Sequence, residues 1–255
     1  MAREPGETPP ADLREHARRE LPRRFYRDAG IAASSSGHFV VQLDGRSVRT
    51  PARRELALPV RGIAEMVAAE FSAQHERIDP ATMPVTRLVN SALDGVEARR
   101  QEVIDEILRY AASDLLCYRA EGPETLCRLQ DEAWNPVLQW AEEALGARFR
   151  LAAGIVHVPQ PQEAIDALAD VLARHASPLS LAAIHSMTTI TGSALLAIAV
   201  AEQAIAASEA WAAAHVDEDW NIAQWGEDAE AMRQRKFREA EMMAAARVLE
   251  QLRGA

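Results

Sequence analysis

The spacing of apolar residues changes near residue 59, and that change organises the chain. Before it, Phe39, Val41 and Leu43 alternate ahead of Asp44-Gly45, and Val48 continues on the far side. A period of two around an Asp-Gly pair predicts a β-hairpin with a type I′ turn, ended by Pro51, within a β-rich stretch over 23–58. After it, the period becomes three and four. Val60, Ile63, Ala64, Val67, Ala68 and Phe71 fall on one face of a helix started by Pro59. A Pro-containing linker over 78–84 leads to a helix over 85–93, interrupted by Gly95. Ile104, Ile107, Leu108 and Ala111 define the next helical stripe. Residues 123–145 read as a helix that contains Pro136 and is capped by Gly146.

A short extended piece over 155–159 divides the helical part. Ile165, Leu168 and Leu172 point inward from a helix over 162–175, and Ser177-Pro178 opens a long, fully buried helix to about residue 201. Ser208 caps a tryptophan-bearing helix that Gly226 ends. The last helix covers 227–252, with Phe237, Ala240, Ala244, Val248 and Leu252 on one side. The pattern predicts an α+β protein. A loosely ordered tail (1–20) precedes a small β-rich module (21–80), and an all-helical domain (81–255) follows. No internal repeat occurs.

Composition narrows the classes. With 48% hydrophobic and 26% charged residues, the chain reads as an ordinary soluble globular protein. A formal net charge of −10 argues against a nucleic-acid partner, because its small basic clusters are mixed with acids or spread over helix faces. Cys117 and Cys127 match no metal spacing and read as reduced thiols. The first twenty residues hold five acids and no apolar core, so they make neither a secretory signal nor a good transit peptide. Residues 176–201 carry no formal charge, a length that could span a bilayer. His185, Ser186, Thr188, Thr189, Thr191 and Ser193 within it, and the lack of a basic flank, favour a buried helix and no stable membrane insertion.

The densest signal lies at Trp211–Glu230. As one helix it places Trp211, His215, Glu218, Ile222 and Trp225 on a single stripe. A carboxylate amid aromatic residues must either find an internal cation or face a partner, because an unpaired buried charge is costly. Asp217 and Asp219 fall off the stripe, toward solvent. Glu227, Asp228 and Glu230 complete an acid cluster that matches no EF-hand, and those after Gly226 complement the dipole of the next helix. No GxSxG elbow and no phosphate loop occur. His185 and Ser186 are neighbours, hence about 100° apart on a helix. A helical small-ligand-binding or hydrolytic protein with a polar pocket around His185 is the enzymatic alternative. A peripheral membrane protein using residues 176–201 is another. The main reading has no catalytic residue, no metal and no cofactor.

Five segments, in order, resemble a known family: AEFSAQ within the first helix, IDPATMPVTRLVNSALD (78–94), DLLCYRA (114–120), the 177–201 run, and DEDWNIAQWGEDAE (217–230). They are similar to the assembly-factor family of the F-type ATP synthase catalytic head, across nearly the whole chain from residue 22. The resemblance implies a non-enzymatic chaperone that binds the unassembled alpha subunit and shields its beta-contacting surface. It implies an N-terminal β-containing module joined to an orthogonal helical bundle. It points to Glu218, Trp225, Glu227 and Asp228 as partner-binding residues, with Trp220 and Asp219 beside them. Phe71, Pro84 and Asp94 take structural, interdomain roles. Phe71 stands where the family often has Trp, and Asn221 where it often has Gln. The first substitution keeps an apolar anchor; the second puts a side-chain amide contact in doubt. The expected protein is monomeric and bacterial, in the cytoplasm, with eukaryotic relatives in the mitochondrial matrix.

Overall fold

The Asp44-Gly45 pair forms the expected turn: both residues have positive φ, 48° and 77°, as type I′ requires. It joins β2 (Phe39–Leu43) to β3 (Arg46–Ser47), with Leu43 opposite Arg46. β1 (Ala29–Ala33) pairs antiparallel with β2 from Ala29↔Leu43 to Ala33↔Phe39, and β4 (Ala57–Leu58) pairs with the other end of β2. The computed structural model describes residues 21–154 and 156–254. The tail over 1–20, and with it the reading of its targeting signals, lies outside the described residues, as does Ile155.

Helix α1 (Arg61–Ser72) covers the sheet with the predicted face, burying Ile63, Ala64, Val67, Ala68 and Phe71. It starts two residues after Pro59. Phe71 stacks edge-on against Tyr26 at 5.9 Å between ring centroids, and the Tyr26 hydroxyl donates to the Phe71 carbonyl at 2.8 Å. Gln74 then fixes the linker, accepting from Asp79 N and donating to Thr82 Oγ1.

Helix α2 (Pro84–Asp94) has no side-chain cap from its own N-terminus. Pro84 at its first position lacks an N–H, and Glu70 of α1 serves the next two donors. Its carboxylate accepts from Val85 N at 2.8 Å, from Thr86 N at 2.7 Å and from Thr86 Oγ1 at 2.7 Å. At the other end Asp94 accepts from Thr50 Oγ1 at 2.6 Å and Ala52 N at 2.9 Å, tying α2 to the sheet region. Glu70→Ala is expected to lower stability by about 1–2 kcal/mol, the usual loss of a good cap. A thermal midpoint within a degree of the parent would refute that role.

The remaining helices are α3 (Arg100–Ala112), α4 (Glu124–Leu145), α5 (Gln162–Arg174), α6 (Pro178–Thr191), α7 (Ala194–Ala201), α8 (Ala207–Ala214), α9 (Val216–Trp225) and α10 (Ala229–Arg253). One cluster of buried residues runs from Tyr26 and Val41 through Ile184 and Leu195 to Leu249. Gly146 caps α4 in the left-handed conformation as expected. The extended piece sits earlier than 155–159: β6 (Ala152–Ala153) pairs in parallel with β5 (Tyr118–Arg119).

The long buried helix is two helices. Gly192, at φ 70°, ends α6, and Ser193 caps α7 by accepting from Leu196 N. The break is stabilised from outside. Asp114, completely buried, accepts from Ser193 Oγ at 2.7 Å, Leu195 N at 3.0 Å and Leu116 N at 3.1 Å. Thr191 turns its hydroxyl back to the Met187 carbonyl. Among the described residues no helix is long and apolar enough to cross a membrane.

Candidate functional site

The tryptophan segment breaks at His215, whose φ of −115° leaves the helical region and separates α8 from α9. Ala206, not Ser208, stands at the N-cap of α8, and Glu209 accepts from its N–H. The single stripe is therefore divided. Trp211 is buried, its ring 3.8 Å between centroids from that of His215. His215 donates from Nδ1 to the Trp211 carbonyl at 2.7 Å, the assignment a carbonyl partner requires. Burial holds its pKa below the ordinary value, so the ring is neutral at pH 7.

Helix α9 has no fully buried residue. Two acids attach it to its neighbours. Asp217 accepts from Gln130 Nε2 of α4 at 2.7 Å, and Asp219 pairs with Arg235 of α10 at 2.6 Å. That contact with Asp219 raises the Arg235 pKa. Asp219 faces solvent as expected, whereas Asp217 is half-buried; each also has an internal partner, because α4 and α10 flank α9. Trp134 anchors the preceding turn, donating from Nε1 to the Ala213 carbonyl at 2.7 Å. No local pattern marks Gln130 or Trp134; Arg235 belongs to one of the small basic clusters, but nothing nearby in sequence names its acidic partner.

Glu218 lies between these attachments, with its side chain 33% exposed. Among the described residues its one ion-pair contact is His215 Nε2 at 3.8 Å, and its charge also helps raise the pKa of Arg235, which pairs with Asp219. That histidine nitrogen carries a lone pair in the neutral tautomer, so it neither donates to Glu218 nor offsets its charge. Trp220 is half-buried, and Trp225, the last residue of α9, is 84% exposed. Gly226 (φ 88°) turns the chain away, and Glu227 and Asp228 are exposed beyond it. Asp228 caps α10, accepting from Glu230 N and Ala231 N. The outer half of α10 also leaves the core. Phe237 and Ala240, expected to face inward, are exposed; the buried face begins at Met242. Phe237 lies over the Arg87 guanidinium at 4.7 Å.

A protruding indole, a partly exposed carboxylate without a hydrogen bond among the described residues and further acids thus project from helices fixed by polar contacts. Such a surface suits protein recognition. Among the described residues no group of His, Cys, Asp and Glu is arranged to hold a metal ion.

Comparison with known proteins gives the family. The model of the family described as ATP12 chaperone protein matches residues 23–142. Atp12 from Paracoccus denitrificans, a solved structure, is 38% identical, with a TM-score of 0.81 over 90% of this chain and 98% of its own. This chain belongs to the ATP12 chaperone family. The Atu1473 protein of Agrobacterium tumefaciens is 48% identical, with a TM-score of 0.88 over 96% of this chain and 92% of that one. Protein atp12, mitochondrial, of Schizosaccharomyces pombe is 25% identical over 219 residues, 80% of this chain and 74% of that relative. As an ATP12 family member the protein is a chaperone, not an enzyme, and the hydrolytic alternative at His185 falls. The fold class is shared with these relatives: a small strand region and a helical domain.

Proposed function

We propose that this ATP12 family chaperone serves ATP synthase assembly by binding the unassembled alpha subunit and shielding its beta-contacting surface. An orphan subunit exposes apolar area that would otherwise aggregate. A stoichiometric holder needs anchors and selective charge rather than a reaction. The observation that carries the reading is the pairing of an 84% exposed Trp225 with a partly exposed Glu218 carboxylate that, among the described residues, makes no hydrogen bond and no ion pair with an arginine or lysine. Trp225 is the apolar anchor. Glu218 and Glu227 select a basic patch on the client. Asp219 and Asp228 hold α9 and the start of α10 in place, and Trp220 supports the outer face of α9.

Glu218→Lys tests the reading. A partly exposed carboxylate that makes no ion pair with an arginine or lysine among the described residues should be replaceable with little change in thermal midpoint. The same change opposes a basic client patch and should lower affinity for purified alpha subunit at least tenfold, chiefly through like-charge repulsion. Unchanged capture by the folded variant would remove Glu218 from the interface. A collapse in midpoint would mark it as a structural group instead.

A further inference from the structure

The β-rich module differs in charge from the chain as a whole. Residues 21–60 hold seven arginines against three acids, a net +4, although the full chain carries −10. A groove of about 700 Å³ opens in this module, lined by the turn between β2 and β3, the segment before β1 and Phe71 near the end of α1. Its apolar wall is Tyr26, Leu43, Val48 and Phe71. Phe25 extends that wall outward. It is 77% exposed and lies edge-on to Tyr26 at 5.3 Å between ring centroids. Covering such a ring removes apolar area from water.

The charges at the rim are not equivalent. Asp44 spends its carboxylate on the module's own backbone, accepting from Arg27 N at 3.0 Å and Asp28 N at 2.9 Å. Arg49 donates to the Arg53 carbonyl at 3.0 Å and meets no carboxylate among the described residues. Arg46 is exposed, and among the described residues its side chain makes no hydrogen bond, ion pair or ring contact. The unspent charge at this groove is therefore positive.

We propose that this groove is a second docking subsite, taking an acidic segment of the client that carries an aliphatic or aromatic side chain. The proposal rests on the chaperone reading above. The apolar group packs against Phe25, Tyr26 and Val48, and the carboxylates face Arg46 and Arg49. An apolar centre inside a charged rim is the ordinary anatomy of a protein interface. A free small anion would leave the apolar wall uncovered. An anionic bilayer is disfavoured twice, because Asp44 stands on the same rim and the chain as a whole is negative. The two subsites then carry opposite signs, negative near Trp225 and positive here. That contrast fixes the client's orientation, since a reversed pose sets like charges against each other.

The test uses the full chain, purified F-type alpha subunit, and the variants Phe25→Ser and Arg46→Glu. Both positions are exposed, so the thermal midpoints should stay within about two degrees of the parent. Each variant should bind the subunit about tenfold more weakly, and the Arg46→Glu deficit should shrink as salt rises. Amide hydrogen exchange of the parent should show client-dependent protection over 23–28 and 43–49 as well as over 216–228. Protection confined to 216–228 would overturn the groove and leave the chaperone reading intact, even where a variant has lost stability. Unchanged affinity in both variants, with Trp225→Ala weakened, would do the same. A loss in Phe25→Ser alone would overturn the acidic occupant. Binding to phosphatidylglycerol vesicles that Arg46→Glu abolishes, with alpha-subunit affinity unchanged, would assign the groove to a membrane surface instead. Failure of the parent chain to bind alpha subunit at all would overturn both readings.

Discussion

Trp225→Ala is expected to weaken capture of the alpha subunit by about 30-fold or more while leaving the thermal midpoint within about a degree. The two halves of this expectation have separate causes. The indole is 84% exposed at the end of α9, so its removal takes almost nothing from the folded chain. Exposed tryptophans at the centre of interfaces commonly contribute 2 kcal/mol or more, and about 1.4 kcal/mol is a factor of ten. Titration of labelled alpha subunit against parent and variant measures the ratio directly. A ratio below threefold, with both chains folded, would assign the anchor elsewhere. Trp220→Ala is a useful contrast: half-buried, it should affect stability as well as binding.

Asp114→Ala should be the most damaging single change to the fold, at about 4 kcal/mol. Its carboxylate holds Ser193 Oγ, Leu195 N and Leu116 N in a fully buried setting. Alanine would orphan those donors, and each unmatched buried donor costs about 1–3 kcal/mol. For a chain of this size the midpoint should fall by roughly 8–16 °C. The same residue gives a pH signature. Burial pushes its pKa up from 3.8 to about 6, with the hydrogen bonds opposing. The folded chain therefore retains a proton that the unfolded chain releases between pH 4 and 6. The associated stability is fully present below about pH 4 and lost as pH rises through about 6. At about 1.4 kcal/mol per pKa unit it amounts to about 3 kcal/mol. Asp114→Asn cannot ionise, so the stability difference between parent and this variant should shift in the variant's favour across that window. A pH-independent difference, measured by denaturant melts from pH 4 to 7, would contradict the assignment.

The legible parts of this structure are those fixed by neighbours in sequence. The Asp44-Gly45 turn, the buried face of α1 and the Gly146 cap follow from local period and backbone preference. The misread parts depend on contacts between distant segments or on competing local signals. Gly192-Ser193 carries a stop and a start for helices, but the uninterrupted run of uncharged residues around it masks them. Asp114, about eighty residues earlier, fixes the break from a distant segment. The Ala-rich run before His215 gave no hint that the helix ends there, so Trp211 was grouped with Trp225 although one is buried and the other is not. Phe237 matched the helical period of the last element, yet half of α10 extends past the core. At the candidate site, the setting of Glu218 is not readable, because it depends on Gln130 and Arg235 bonding to the neighbouring Asp217 and Asp219.

The carboxylate of Glu70 on the backbone of α2 has a consequence for how such chains are sorted. AEFSAQ and MPVTRLVN look like two independent signatures, but they are the two sides of one contact between neighbouring helices. Chains sharing both would be grouped by how they fold rather than by whom they escort. Orthologues could exchange clients through changes near Trp225 and still carry an unaltered signature.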